Sequence, residues 1–444
     1  MKQKKHSATL HFLPLLIAIL ILTLNICYGQ QNKQGNIWYF GDHAGIDFNG
    51  DAPHAITNGA LTYPLQWGHG EGTSCIADSA GNILFYSDGM TVWNKNHAVM
   101  QNGTGLLGNF SSTQSCIFVP QPNSGNRYFY LFTVSSGFCC DNSITDGLRY
   151  SKIDRFGDNG LGAIISVEKN IKLADTIAEK IAVTRHANGK DYWILTHKYF
   201  SNQFFAFRLT ADGIKDTVIS AIGSIHNGSS EYDIGGSQGQ LKFSADGKKI
   251  AIGASNGLDL LELFDFDKAT GTVSNFRPLR RMNNGNIYGV EFSCDGLKLY
   301  TSSFSYTPFE MDITQYDLSN STTDAINASM QLIYNEQTTI APKGLQIGPD
   351  DKIYMVSMSN DGFVSVINQP NQKGSNCDFQ DMAIDLQGRM GSYGLPTFIA
   401  GFDYASDGTD NKEIVNDQKG GIPNNGWIIY PNPMKEYAIL KFSN

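Results

Sequence analysis

From Ile37 to about Tyr404 the chain keeps returning to one short unit: an apolar strand, a turn made of Gly, Asp or Asn, and a second strand rich in aromatic or β-branched residues. The clearest copies run from Leu241 to Ala251 around Asp246-Gly247 and from Val290 to Tyr300 around Asp295-Gly296. Asp-Gly supplies the positive φ that a tight two-residue turn requires, so each copy reads as a β-hairpin. A third copy runs from Leu345 to Tyr354. Looser ones begin at Ile76 (turn Gly81-Asn82), Ile117 (turn Gly125-Asn126) and Ile181 (turn Asn188-Gly189).

These six starts lie 41 to 64 residues apart, an irregular period near the roughly 40 to 50 residues of a four-stranded propeller blade. A seventh innermost strand is available from Leu395 to Ala400, and Ile37 to Phe40 with Gly45 to Phe48 supply the outer strands it lacks. Pairing the two termini in one blade removes the strand edges that an open radial array would expose. The expected fold is therefore all-β, a seven-bladed β-propeller closed by pairing of its N- and C-terminal strands. Composition agrees: 41% of residues are hydrophobic and 11% aromatic, enough for a large core of short strands. Sustained 3.6-residue periodicity is missing, and the nearest approach, Asp175 to Val183, runs straight into strand-like sequence.

Met1 to Gly29 carries Lys2, Lys4 and Lys5, then an apolar run from Leu13 to Leu24, then Cys27-Tyr28-Gly29, with small residues at the two positions a signal peptidase reads. This reads as a signal peptide cleaved between Gly29 and Gln30. A run of about 12 apolar residues is short of the roughly 20 that span a bilayer, so no integral membrane span is expected after cleavage. Removing the leader takes the net charge from −9 to about −12, which argues against a nucleic-acid partner and for solubility outside the cell. Six cysteines remain after the leader, and their pairing is not fixed by sequence; the adjacent Cys139 and Cys140 are poorly placed to bond each other.

Residues 30–405 form the expected propeller, and residues 406–426, rich in Gly, Asp and Asn, read as a flexible linker. Residues 427–444 read as the first strand of a small β-sandwich with no partner strand in this chain. There, Tyr430-Pro431-Asn432-Pro433 resembles the start of the type IX secretion sorting domain, which implies the type IX machinery as a partner and a truncated domain here. The propeller region is similar to gliding-motility-associated surface proteins exported by that route. The likeness lies in Asn36 to Gly41, Gly81 to Gly89, Val92-Trp93-Asn94 with His97, Ser111 to Ser115, and Gly394 to Ile399. It implies a secreted or outer-surface location, reached through the periplasm, and carries over no catalytic residue.

Several constellations carry candidate chemistry. His69-Gly70-Glu71-Gly72 precedes the first repeat, where loops reach a channel mouth, so a His/Glu pair could serve acid/base work or bind a metal; a plain Gly-rich loop is the favoured reading. His97, His186 and His197 follow no metal-ligand spacing and read as structural or exposed. Asp47-Phe48-Asn49-Gly50-Asp51 has the alternating oxygens of a calcium loop, but Ala52 and Asn58 stand where an EF-type loop needs Gly and a bidentate acid. A hairpin turn is favoured there, with calcium kept open as the one cofactor. Lys242, Glu291 and Gln346 fall at the same offset in three successive repeats, which points them toward the axis, as an interblade ion pair in the favoured reading and as a polar ligand mouth in the other. Tyr128, Tyr130, Phe132, Tyr192, Trp193, Phe204, Phe205 and Phe207 would stack on sugars if exposed, and otherwise fill the wedges between blades. The function expected is a non-catalytic binding or adhesion module for an extracellular glycan or protein. An extracellular enzyme acting on polysaccharide or peptide, with Glu71 joined by Asp88 or Glu231, is the alternative; a structural part of a larger surface protein is the third.

Overall fold

The computed structural model describes residues 32–64, 68, 70–136, 146–227, 236–255, 258–282, 285–306, 309–337 and 343–404, and the backbone of 428–430 and 439–441. Seven antiparallel sheets follow one another along the chain, and the protein is a seven-bladed β-propeller. Blade 1 holds Ser74–Ala77, Ile83–Ser87 and Val92–Asn94, with Trp93 bridging Val99. In blade 2, Cys116–Pro120, Tyr128–Val134 and Leu148–Asp154 are flanked by two short segments, Ala163–Ile164 and Ile171–Ala174, that share the outer edge. Blades 3 to 6 each have four strands, beginning with Ala182–Arg185, Leu241–Phe243, Asn286–Phe292 and Gln346–Ile347. Blade 7 carries Ile37–Phe40, Ala44–Asp47 and His54–Ile56.

All six hairpins expected from sequence are present, and each supplies the first two strands of its blade. The two clearest share one device. Ser244 Oγ meets Asp246 Oδ1 at 2.6 Å and accepts from Lys249 N at 3.0 Å; Ser293 does the same with Asp295 and Lys298 at 2.6 and 2.9 Å. The serine and aspartate thus hold the turn while Gly247 (φ +70°) and Gly296 (φ +66°) take the left-handed conformation it needs.

The two ends of the propeller meet, but through single bridges: the strand expected at Leu395 to Ala400 does not form, Ala400 opens a 3-10 turn, and among the described residues no ladder joins this stretch to Ile37–Phe40. Asp42 pairs antiparallel with Met390, and Thr73 pairs parallel with Pro396, Thr397 N donating to Thr73 O at 2.8 Å. Residues 395–399 lie along blade 7, with Phe398 packed 5.6 Å from Trp38. Aromatic rings fill the other seams too: Phe85 on Phe118 at 5.7 Å, Phe204 on Phe264 at 5.0 Å, and Tyr334 on Phe379 at 4.6 Å. Rings suit this place because blades diverge from the axis, leaving wedges that large flat side chains fill.

Among the described residues helix is confined to Gly157–Gly160, Thr323–Ala328 and a few 3-10 turns, and none is long and apolar enough to cross a membrane. In the carboxyl segment, Ile428–Tyr430 pairs antiparallel with Ile439–Lys441. This corrects the expectation of a lone strand, because the alternating residues after Tyr437 supply a partner. Gly29, Gln30, Pro431, Asn432, Pro433 and the linker lie outside the described residues.

Candidate functional site

The innermost strand of each blade has a ladder partner on one side only, so its other edge faces the channel with backbone groups to satisfy. Neighbouring blades supply the partners just ahead of these strands. Glu71 N donates to Phe110 O at 2.8 Å, Gln114 N to Glu179 O at 3.1 Å, Glu179 N to Ser237 O at 3.1 Å and Gln240 N to Tyr288 O at 2.7 Å. Gly344 N and Tyr393 N continue the circuit to Tyr393 O and Gly70 O. Two glutamine side chains complete it: Gln114 clasps both backbone groups of Leu241, and Gln240 Oε1 accepts from Val290 N and Leu345 N. This belt defines a leading end of the channel, where the innermost strands begin, and a mouth, where they end.

The mouth is a recess of about 550 Å³ lined by residues of blades 3 to 6 and by residues 397–403. At its floor Lys242 Nζ lies 3.0 Å from Glu291 Oε2 and donates to Gln346 Oε1 at 2.5 Å. Glu291 also accepts from Phe292 N and Ile347 N, each at 3.0 Å. Lys242 and Glu291 therefore meet as their matching offsets implied, and both are buried. The rim is charged, with Lys248, Lys268, Asp246, Asp351 and Asp403.

At the leading end, Glu71 accepts from Tyr288 Oη at 2.5 Å, Ser111 Oγ at 3.1 Å and Thr113 Oγ1 at 3.4 Å. Glu179 accepts from the same threonine's N at 3.3 Å and from Ser136 Oγ at 3.0 Å. Two buried carboxylates thus share Thr113. Burial, with the charge of Glu179 behind it, pushes the Glu71 carboxyl up to about 8, against the pull of its hydroxyl donors. Lys180 donates to three successive carbonyls, Ser237 O, Gln238 O and Gly239 O, at 2.7, 2.5 and 2.9 Å, and burial pulls its amine down to about 7. Beside it His197 and His226 stack at 4.0 Å, His226 Nε2 lying 3.2 Å from Glu262 Oε2; burial holds both imidazoles well below their ordinary range.

The other sequence candidates divide plainly. His69, Cys139, Cys140 and Glu231 lie outside the described residues. Asp88 is not in contact with Glu71; it caps a turn through Met90 N and Thr91 N, and burial pushes it up to about 6. His186 closes the Asn188-Gly189 turn through its Nδ1 and packs on Trp193. In the turn after Asp47, where calcium was kept open, Asp47 Oδ1 accepts from Asn49 N, and Asn49 Nδ2 reaches the blade 1 turn at Gly81 O. Among the described residues no group of three or more His, Cys, Asp or Glu is placed to hold a metal. Of the eight aromatic residues, Tyr128 and Phe205 are partly exposed and the other six are buried. Cys75, Cys116 and Cys377 are buried thiols.

Sequence reasoning missed Glu179, Lys180, Tyr288, His226 and Glu262. A positional signal was available for the first: Glu71, Thr113, Glu179, Gln238 and Lys343 each stand three residues ahead of an innermost strand.

No protein-family model and no curated protein sequence matches the chain. Solved structures do. A candidate 6-phosphogluconolactonase from Bacteroides fragilis is 13% identical over 81% of this chain and 97% of its own, with a TM-score of 0.47. A protein from Lactobacillus plantarum is 11% identical over 82% and 98%, with a TM-score of 0.46. Hydrazine synthase of Kuenenia stuttgartiensis is 14% identical over 78% and 98%, with a TM-score of 0.43.

Proposed function

We propose that the protein is a non-catalytic binding module displayed outside the cell, with its ligand, an extracellular glycan or protein, seated in the mouth of the channel. One observation carries this reading. The mouth has a volume in the range of small-ligand sites, yet its floor charges are consumed by one another, Glu291 being held by Lys242 and two backbone amides. Such a floor can orient a ligand through fixed polar groups. Export and display rest on the leader from Met1 to Gly29, the acidic balance, and the likeness of Tyr430-Pro431-Asn432-Pro433 to a type IX sorting segment. The test is an array of glycans and matrix proteins probed with the chain lacking residues 1–29. A ligand whose binding weakens in Lys248→Ala and Asp351→Ala supports the reading. Turnover of a polymer with no stable binding reverses it.

A second reading, an extracellular hydrolase, is favoured by the two carboxylates on Thr113. A carboxyl raised by burial beside a second carboxyl is an arrangement that general-acid chemistry uses. It requires Glu71→Gln to abolish turnover of a polysaccharide or peptide while leaving array binding intact.

A further inference from the structure

We infer that the seam between blades 7 and 1 holds a second, independent binding site, a groove built for a neutral saccharide. The groove has a volume of about 420 Å³. Ile37, Ile56 and Ile83 form its apolar floor, and Asp47, Asn58, Asn82, Lys95 and Asn96 stand around it.

Its walls are fixed from behind. Asn49 donates to Gly81 O at 3.0 Å and accepts from Asn36 Nδ2 at 3.2 Å, an approach possible because a side chain at Gly81 (φ +90°) would collide with the Asn49 carboxamide. Asn58 is locked between Tyr39 Oη, 2.9 Å from its Oδ1, and His97 Nε2, 2.9 Å from its Nδ2. The ring nitrogen that accepts from Asn58 leaves the imidazole proton on Nδ1, 3.1 Å from Tyr86 Oη, and leaves Asn58 its second amide hydrogen.

The groups left over define the ligand. Among the described residues, Lys95 Nζ, the Asn96 carboxamide and Asp47 Oδ2 make no hydrogen bond, and Asn82 keeps its Oδ1 free. They include both donors and acceptors, with one cation and one anion among them. An anionic ligand would meet Asp47 and a cationic one Lys95, whereas hydroxyl groups that both donate and accept satisfy all four, and a sugar's C–H face suits the isoleucine floor.

The test is calorimetric titration of the chain lacking residues 1–29 with cellohexaose, laminarihexaose, maltohexaose and chitohexaose, and with an alginate hexamer as the anionic probe. We expect at least one neutral hexamer to bind. Its Kd should rise about 10-fold or more in the double variant Lys95→Ala/Asn96→Ala, whose exposed side chains make no hydrogen bond among the described residues, with unchanged melting. Lys248→Ala, at the mouth rim, should leave that Kd alone; this separates the seam from the mouth, so either site can fail without the other. No neutral hexamer binding at about 10 mM, binding of the alginate alone, or a Kd that follows Lys248 in place of Lys95 and Asn96 overturns the inference.

Discussion

The two ends of the channel solve the same problem in opposite ways. Both must place polar groups where innermost strands have no further ladder partner. At the mouth, one ammonium meets one carboxylate and an amide, Lys242 with Glu291 and Gln346, and the space beyond stays open. At the leading end two carboxylates, Glu71 and Glu179, share one threonine, and the nearby ammonium of Lys180 is turned onto carbonyls. Charge there is balanced by protonation and by hydroxyl donors. A balanced pair is insensitive to its surroundings and suits a surface that meets a ligand. An unbalanced cluster is sensitive to proton activity and holds the blades together only while its hydroxyl network is intact.

The sharpest way to break this contrast is at the mouth. Glu291→Ala leaves the Lys242 ammonium buried beside a single amide oxygen, and the loss should be about 3–5 kcal/mol, read as a lower urea midpoint with an unchanged slope. Adding Lys242→Met to the same chain should recover most of it, because the uncompensated charge is then gone. A single-variant cost below about 1 kcal/mol would mean that water reaches the floor and the pair is a surface one.

The leading end should instead reveal itself through pH. Glu71 keeps its proton in the folded chain up to about 8, while the unfolded chain releases it near 4.5. Between those values the folded state binds more protons, so stability falls as pH rises through the window. Lys180 acts with the opposite sign, but only above about 7. From pH 5 to 7 the Glu71 contribution is therefore unopposed by Lys180, with a ceiling of about 2.7 kcal/mol. His197 and His226, whose buried imidazoles stay unprotonated in the fold, work against this below about 6.5, so Glu71 is read as a difference: wild type should lose up to about 2.7 kcal/mol of stability relative to Glu71→Gln in melts recorded from pH 5 to 7.

What the sequence made legible follows the same division. The mouth could be read because Lys242, Glu291 and Gln346 are each the second residue of a recognisable hairpin, and a shared offset in a repeat is a shared place around the axis. The leading end is built largely from the loops ahead of the innermost strands, where a place three residues before the strand recurs but the residue type there changes from blade to blade. Glu179 and Lys180 fall in the one stretch that hinted at a helix, and His226 and Glu262 come from later strands of blades 3 and 4, visible as a cluster only once the blades stack. Residues 395–399 were identified from their apolar run, but their attachment through single bridges depends on packing against Trp38, which local pattern does not encode. The seam groove was present in pieces: Asp47 and Asn49 as a would-be calcium loop, Gly81-Asn82 as a turn, His97 as an isolated histidine. Their convergence is a product of ring closure, which brings Asn49 onto Gly81.

Tightness is the last point on which the two ends differ, and alanine scanning of glycines measures it. At the leading end a Cβ on Gly72 would stand 2.2 Å from Ser115 N and 2.8 Å from Ser112 O, both backbone atoms of the next blade, so the belt itself would have to shift. Overpacking of this kind costs about 1–3 kcal/mol. At the mouth, a Cβ on Gly296 meets only Ser244 Cβ, at 3.7 Å, an ordinary contact. The remaining cost of Gly296→Ala is the left-handed backbone at φ +66°, about 1 kcal/mol, partly offset by the smaller freedom of the unfolded chain. Urea midpoints should therefore fall more for Gly72→Ala than for Gly296→Ala. Equal losses would place the resistance in the turn geometry alone and remove the claim that the leading end is the clamped one.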